Sequence, residues 1–226
     1  MKLCIDDANL EKIKRIYEYY PIDGVSTNPT ILSKYGRNPY ELLKDIRDVI
    51  GEDKELFVQV TGETADIMVE EAHRIIQELG SSTLVKVPCV PEGFKAMKEL
   101  KNEQIRFIGT AVYTPMQGYI AAKAGAEYIA PYVNRIDNLG FDGVQASKDI
   151  HDIIQKAGFT YSGLLAASFK NVYQVLELAK YGVKAVTVSP DIIEAFAGSH
   201  EITSAVAQFS HDFASLVGEN KTMADC

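Results

Sequence analysis

The sequence predicts an α/β fold: a (β/α)8 TIM barrel with an additional C-terminal helix, in one domain over residues 1–226. Three observations lead there. Short apolar runs rich in β-branched residues alternate with amphipathic helical patterns from end to end, as parallel strands and their crossover helices do. Eight such runs occur, the number that closes a barrel. The rival open, doubly wound sheet usually shows a glycine-rich turn after its first strand. Here that turn reads Asp6-Asp7-Ala8-Asn9, and no GxGxxG or Walker loop occurs anywhere.

The elements follow in order. Residues 3–6 form the first strand, and Asp7 or Asn9 can cap a helix that runs to Tyr19 and stops at Pro21. Residues 25–28 are the second strand, followed by a loop and a helix over 40–50. The third strand is 56–60. The helix after it sets Met68, Ala72, Ile75, Ile76 and Leu79 on one core-facing stripe and stops at Gly80. The fourth strand is 84–88, with a helix starting near Pro91. Strands five to eight are 106–112, 128–133, 164–167 and 185–188, separated by helices over 115–124, 143–156 and 172–180. A short helix over 191–197 and a longer one over 202–216 close the chain, and the last nine residues read as frayed.

Composition narrows the function. The 226 residues suit one large domain, and 31 Asp+Glu against 23 Lys+Arg give a net charge of -8. No basic stripe offers a surface for nucleic acid. Cys4, Cys89 and Cys226 are far apart and contain no CxxC, so neither a disulfide framework nor a zinc site is indicated. The N-terminus lacks a signal-peptide pattern and no run is long enough to span a bilayer, so a cytoplasmic location is expected. His73, His151, His200 and His211 all fall in helical patterns, which argues against histidine acid–base chemistry and a histidine-bound metal.

The chemistry concentrates at the strand ends, where barrels of this kind place reactive groups. In Leu84-Val85-Lys86-Val87-Pro88, alternation sends Leu84 and Lys86 to one face and the valines to the other. An ammonium in that apolar wall loses hydration, which favours the neutral amine, a nucleophile able to form a Schiff base. A protective edge-strand lysine or a snorkelling one are the other readings. The remaining strand ends supply Asp6, Asn28, Gln59, Thr110, Tyr132 with Asn134 and Arg135, Ser168 and Ser189. Asp6 can pair with Lys86 or orient a substrate hydroxyl, with Asp7 competing for either task. Gln59 and Thr110 can hold a water, and the Tyr132 phenol can move a proton to and from the carbon beside an imine. Arg135 suits a phosphate or carboxylate, or a surface ion pair. Ser189, beside Pro190, reads as a helix cap. Cys4 reads as core, Cys89 as an exposed thiol near the mouth.

The segments Thr27-Asn28-Pro29-Thr30, Val85-Lys86-Val87-Pro88, Gly109-Thr110-Ala111-Val112-Tyr113, Ala130-Pro131-Tyr132-Val133-Asn134-Arg135-Ile136-Asp137 and Ala166-Ala167-Ser168-Phe169-Lys170 resemble the small transaldolases. The similarity is greatest to their fructose-6-phosphate aldolase branch. It runs from Leu3 to about Phe213, with the motifs in the same order.

The resemblance implies a class I aldolase that needs no metal and no organic cofactor. It implies Lys86 as the Schiff-base lysine, Asp6 as the strand-one aspartate and Asn28 as the donor-binding asparagine. Gln59, Thr110 and Tyr132 match the trio that positions a catalytic water and moves the proton. Arg135 and Ser168 match the phosphate-binding residues; Thr27 and Asn134, inside the same motifs, join the substrate-binding group. The family's C-terminal helix packs on a neighbouring subunit in a decamer of two stacked pentamers, a role the 202–216 helix can serve. Asp7 departs from the family, which more often has threonine there.

Two positions separate the branches. Transaldolases proper carry glutamate where Gln59 stands and phenylalanine where Tyr132 stands. The expected reaction is therefore reversible cleavage of fructose 6-phosphate to dihydroxyacetone and glyceraldehyde 3-phosphate. The alternative is transfer of the dihydroxyacetone unit between sugar phosphates. A third reading is a barrel that binds sugar phosphates without turning them over.

Overall fold

A computed structural model describes residues 1–226 and closes eight parallel strands into a barrel in sequence order. The strands are β1 (Lys2–Asp6), β2 (Gly24–Ser26), β3 (Glu55–Gln59), β4 (Thr83–Pro88), β5 (Phe107–Val112), β6 (Tyr128–Pro131), β7 (Gly163–Ala166) and β8 (Ala185–Val188). The helices are α1 (Leu10–Tyr19), α2 (Pro29–Ser33), α3 (Pro39–Ile50), α4 (Ala65–Leu79), α5 (Pro91–Asn102), α6 (Pro115–Ala124), α7 (Val133–Asn138), α8 (Gly143–Lys156), α9 (Val172–Tyr181), α10 (Pro190–Glu194) and α11 (His200–Val217). The barrel with its extra C-terminal helix is the fold the sequence predicts.

Strand alternation divides the core into two compartments. Cys4, Phe57, Leu84, Ile108, Tyr128, Ala130, Leu165 and Ala185 fill the barrel interior. Val85 and Val87, between Leu84 and Lys86, face outward into the larger layer under the helices, with Val25, Val58, Met97 and Ile129. At the N-terminal end the interior is sealed by charge. Glu55 receives the Tyr128 hydroxyl at 3.2 Å and the Lys2 ammonium at 2.8 Å, and Arg106 pairs with Glu127 at 2.7 Å. The other end is left open to solvent.

Local chemistry sets the turns. Asn9 accepts from the backbone N–H of Lys12 and caps α1, so Asn9 rather than Asp7 takes that role. Gly93, in the first turn of α5, is pressed against the end of β4: a Cβ there would lie 1.8 Å from the Pro88 carbonyl oxygen.

The structure departs from the sequence reading in four places. The stretch after β2 contains α2, because Asn28 accepts from the Ile31 N–H and Pro29 opens the helix. Strand six ends at Pro131, and Tyr132 forms only a bridge to Ala167 before α7 begins. The C-terminal tail holds a 3-10 turn, Met223–Asp225, capped by Thr222. Cys89 is 2% exposed, not a surface thiol, because it turns inward beneath Gly109. Burial pushes its thiol up to about 12, so it stays protonated.

Candidate active site

The open end of the barrel holds a cavity of about 260 Å³ whose wall includes Asp6, Asn28, Lys34, Lys86, Tyr132, Arg135, Ser168 and Ser189. Six different strands or the turns just after them contribute, so closing the barrel is what assembles the group.

Lys86 sits at the floor, 4% exposed. Its ammonium donates to the Ser26 hydroxyl and to the Thr27 carbonyl oxygen, both at 2.8 Å. Both acceptors are neutral. Burial removes water from the charged form without supplying a close anion, which lowers the amine to about 8; the Asp6 charge opposes this only in part. Asp6 does not make the ion pair with Lys86 that the sequence allowed; Ser26 and Thr27 take the ammonium instead. Burial raises the Asp6 carboxyl, against the pull of Lys86, Arg135 and Lys34.

Tyr132 lines the same cavity as Lys86. Its phenol oxygen lies 2.9 Å from the Thr110 hydroxyl, and either group can donate. The Arg135 guanidinium sits 4.7 Å above its ring, and the Tyr113 ring meets it edge-on at 5.7 Å. Burial raises the phenol; the Thr110 hydrogen bond, the Arg135 charge and the backbone N–H of Ala111 pull the other way. That N–H is available because β5 slips register between Gly109 and Val112, with Ala111 in the left-handed region at φ 55°. Ser168, at φ 61°, takes the same backbone form at the end of β7. Two non-glycine residues in a disfavoured conformation flank the cavity, as happens where surrounding structure holds a site in shape.

Not every expected residue lines this cavity. Gln59 is the Cα partner of Lys86 in the β3–β4 ladder and shares the inward face with Phe57, yet it lines a neighbouring cavity of about 360 Å³. Thr27 directs its hydroxyl to the Phe57 carbonyl at 3.1 Å and offers the cavity only its backbone oxygen. Asn134 lies on α7, its N–H bonded to the Ser168 carbonyl at 2.8 Å, and its side chain is not part of the wall. Ser189, read as a cap, makes no side-chain capping bond and instead borders the cavity. Ser26 and Lys34 are not among the strand-end residues that the sequence points to. Alternation from Asn28 would have found Ser26, two residues earlier on the same face; nothing in the sequence pattern marks Lys34.

Chemically, the cavity offers a poorly hydrated amine, a half-buried carboxyl, a phenol tied to a hydroxyl, and basic groups at the rim. Such a set can capture a carbonyl, move a proton at the neighbouring carbon and hold an anion.

Comparisons with known proteins bear on the family and the fold. The chain is 38% identical over 214 residues to a Streptococcus pneumoniae protein named "Probable fructose-6-phosphate aldolase", covering 94% of this chain and 96% of that one. Among solved structures, a flavocytochrome b2 mutant with pyruvate bound superposes with a TM-score of 0.62 at 11% identity, over 86% of this chain and 58% of that one. A mandelate oxidase mutant gives 0.56 at 12% identity, over 95% and 73%. Those two likenesses speak for the barrel alone. The family model described as Transaldolase/Fructose-6-phosphate aldolase matches residues 3–225. With a buried amine at the mouth of a closed barrel and a match over nearly its whole length, the chain belongs to the transaldolase/fructose-6-phosphate aldolase family.

Proposed function

We propose that the chain is a class I aldolase that reversibly cleaves fructose 6-phosphate to dihydroxyacetone and glyceraldehyde 3-phosphate. The observation that carries this is the Lys86 amine, buried, lowered to about 8 and sharing one cavity with the Tyr132 phenol. In its neutral form Lys86 attacks the ketone carbon, and loss of water gives an iminium. The carbon–carbon bond then breaks, its electron pair moves into the iminium as an enamine, and the hydroxyl on the departing carbon gives up its proton as that carbon becomes the aldehyde. Protonation of the enamine carbon and hydrolysis release dihydroxyacetone and return the free amine.

Tyr132 is assigned the proton transfers, through a water held by Thr110 and by Gln59, whose side chain must turn from the neighbouring cavity to reach it. Its phenol is already tied to Thr110, so the donor needs no search. Asn28 and Asp6 are assigned the hydroxyls of the three-carbon unit, and Arg135 with Ser168 the phosphate of the aldehyde partner. A phenol at position 132 and an amide at 59 favour release of the three-carbon unit over its retention for transfer.

The tail of the chain supports an assembly of several copies. None of α11 is buried, yet Ile202, Val206, Phe209, Phe213 and Leu216 fall on one stripe at helical spacing. A second copy of this chain is assigned as the partner of that stripe, in a homo-oligomer of the decameric kind.

Product analysis with fructose 6-phosphate alone tests the reaction. Dihydroxyacetone accumulating without an acceptor is expected. Its release only after erythrose 4-phosphate is added would make the chain a transaldolase, and calorimetric binding without turnover would make it a non-catalytic barrel.

A further inference from the structure

Arg135 is not the only basic side chain at the mouth. Lys34 lines the same cavity from the opposite rim: it follows β2 by way of α2, whereas Arg135 follows β6, and β2 and β6 are diametrically placed in an eight-stranded ring. The wall thus carries three cations, Lys34, Lys86 and Arg135, against one carboxylate, Asp6. Nearby surface cations are paired, Arg37 with Asp45, Lys12 with Asp191 and Arg15 with Glu194. Lys34 and Arg135, both exposed, have no carboxylate within 4.0 Å.

The lysine is also held in place. Tyr35, the next residue, donates its hydroxyl to Asp7 Oδ1 at 2.8 Å, and the same oxygen receives the N–H groups of Ala8 and Asn9 at 2.7 and 3.1 Å. Asp7 lies directly after Asp6 at the end of β1. The C-terminal end of α2 is thereby tied to the barrel rim, and Lys34 is its C-cap. A free lysine on a loop would lose rotamer and backbone freedom on binding; this one has part of that ordering done beforehand.

We propose that Lys34 is a second cation for the phosphate of the aldehyde partner, acting opposite Arg135 and positioned by the Asp7–Tyr35 hydrogen bond. The assignment rests on the sugar-phosphate aldolase reading above. A phosphate monoester carries about 1.5 to 2 negative charges near neutral pH, so one guanidinium leaves it incompletely balanced. Arg135 offers a planar fork and Lys34 a point charge, two geometries that can approach different phosphate oxygens.

The test compares aldol addition of dihydroxyacetone to glyceraldehyde 3-phosphate and to unphosphorylated glyceraldehyde. The ratio of the two kcat/KM values isolates the phosphate. Lys34→Ala should lower that ratio about tenfold, as expected for one charge-assisted hydrogen bond, and Lys34→Arg should restore most of it. Tyr35→Phe, which keeps the ring but frees α2, should lower the ratio by a smaller factor in the same direction. An unchanged ratio in Lys34→Ala, whether or not both rates fall together, overturns the assignment. Trapping with dihydroxyacetone and borohydride is run alongside. A trapped Lys34→Ala protein with an unmoved ratio removes Lys34 from phosphate binding only, whereas an untrapped unaltered protein removes the aldolase reading beneath it.

Discussion

Lys86 reaches over β3 to donate its Nζ to Ser26 Oγ at 2.8 Å, so the hydroxyl nearest the amine accepts from its charged form. An acceptor stabilises the ammonium and opposes the desolvation that holds the amine near 8. The rate kcat/KM should therefore rise with pH through about 8 as the free amine appears. Removing the acceptor in Ser26→Ala should move that midpoint down by about half to one unit, the worth of one ordinary hydrogen bond. A pH–rate profile of both proteins checks it, and an unmoved or higher midpoint contradicts it.

The same burial makes Lys86 a cost to the fold. Its ordinary value is 10.5 and its folded value about 8, so between those pH values the unfolded chain binds more protons and stability rises with pH. Below about 8 the folded state carries the full penalty; above 10.5 the penalty is gone. Lys86→Met should then raise Tm at pH 7 by a few degrees, roughly 2–4 °C per kcal/mol for a chain of this size. The advantage should shrink as the buffer is taken from pH 8 to 10. Thermal unfolding across that range measures it.

Tyr132→Phe removes the phenol but keeps the ring under Arg135. Steady-state cleavage of fructose 6-phosphate should fall by about 10²- to 10⁴-fold, the usual worth of a positioned acid–base group. Formation of the Lys86 adduct should survive, because the amine's own contacts are untouched. Adding Gln59→Glu should shift what activity remains towards transfer to erythrose 4-phosphate. Product ratios unchanged by the double substitution would contradict the branch assignment.

Gly93→Ala tests how the end of β4 is held. The new methyl would lie 1.8 Å from a backbone oxygen, so strand and helix must part. A loss of about 2 kcal/mol or more in urea unfolding is expected, at the upper part of the range for overpacking, with a lower kcat because Pro88 is two residues from Lys86.

Removing residues 199–226 should leave the barrel's Tm nearly unchanged, since no residue of α11 is buried against it. The solution mass by light scattering should fall to a smaller assembly. A mass that scales only with the shortened chain would contradict the role given to α11.

The barrel was legible because burial on both faces makes each parallel strand an apolar run, which survives errors of a residue or two at its ends. Lys86, Asp6 and Tyr132 were legible for the same reason: a polar side chain inside or at the end of such a run is conspicuous. What depends on non-adjacent strands was not. Ser26 meets Lys86 from β2, across an intervening strand, and no local pattern reports that. Cys89 follows a proline in a turn, where alternation gives no direction, and it turned inward. Ser189 precedes Pro190 as a cap would, but its side chain makes no capping bond and the residue borders the cavity. Helices α2 and α7 leave no such mark, because five or six residues are too few to repeat the 3.6-residue period.

The most direct test of the account is covalent. Incubating the protein with dihydroxyacetone, reducing with borohydride and mapping the adduct by mass spectrometry should place one three-carbon unit on Lys86, with none in Lys86→Met. A label on a different lysine, or no label at all, would contradict the claim that this buried amine captures the ketone.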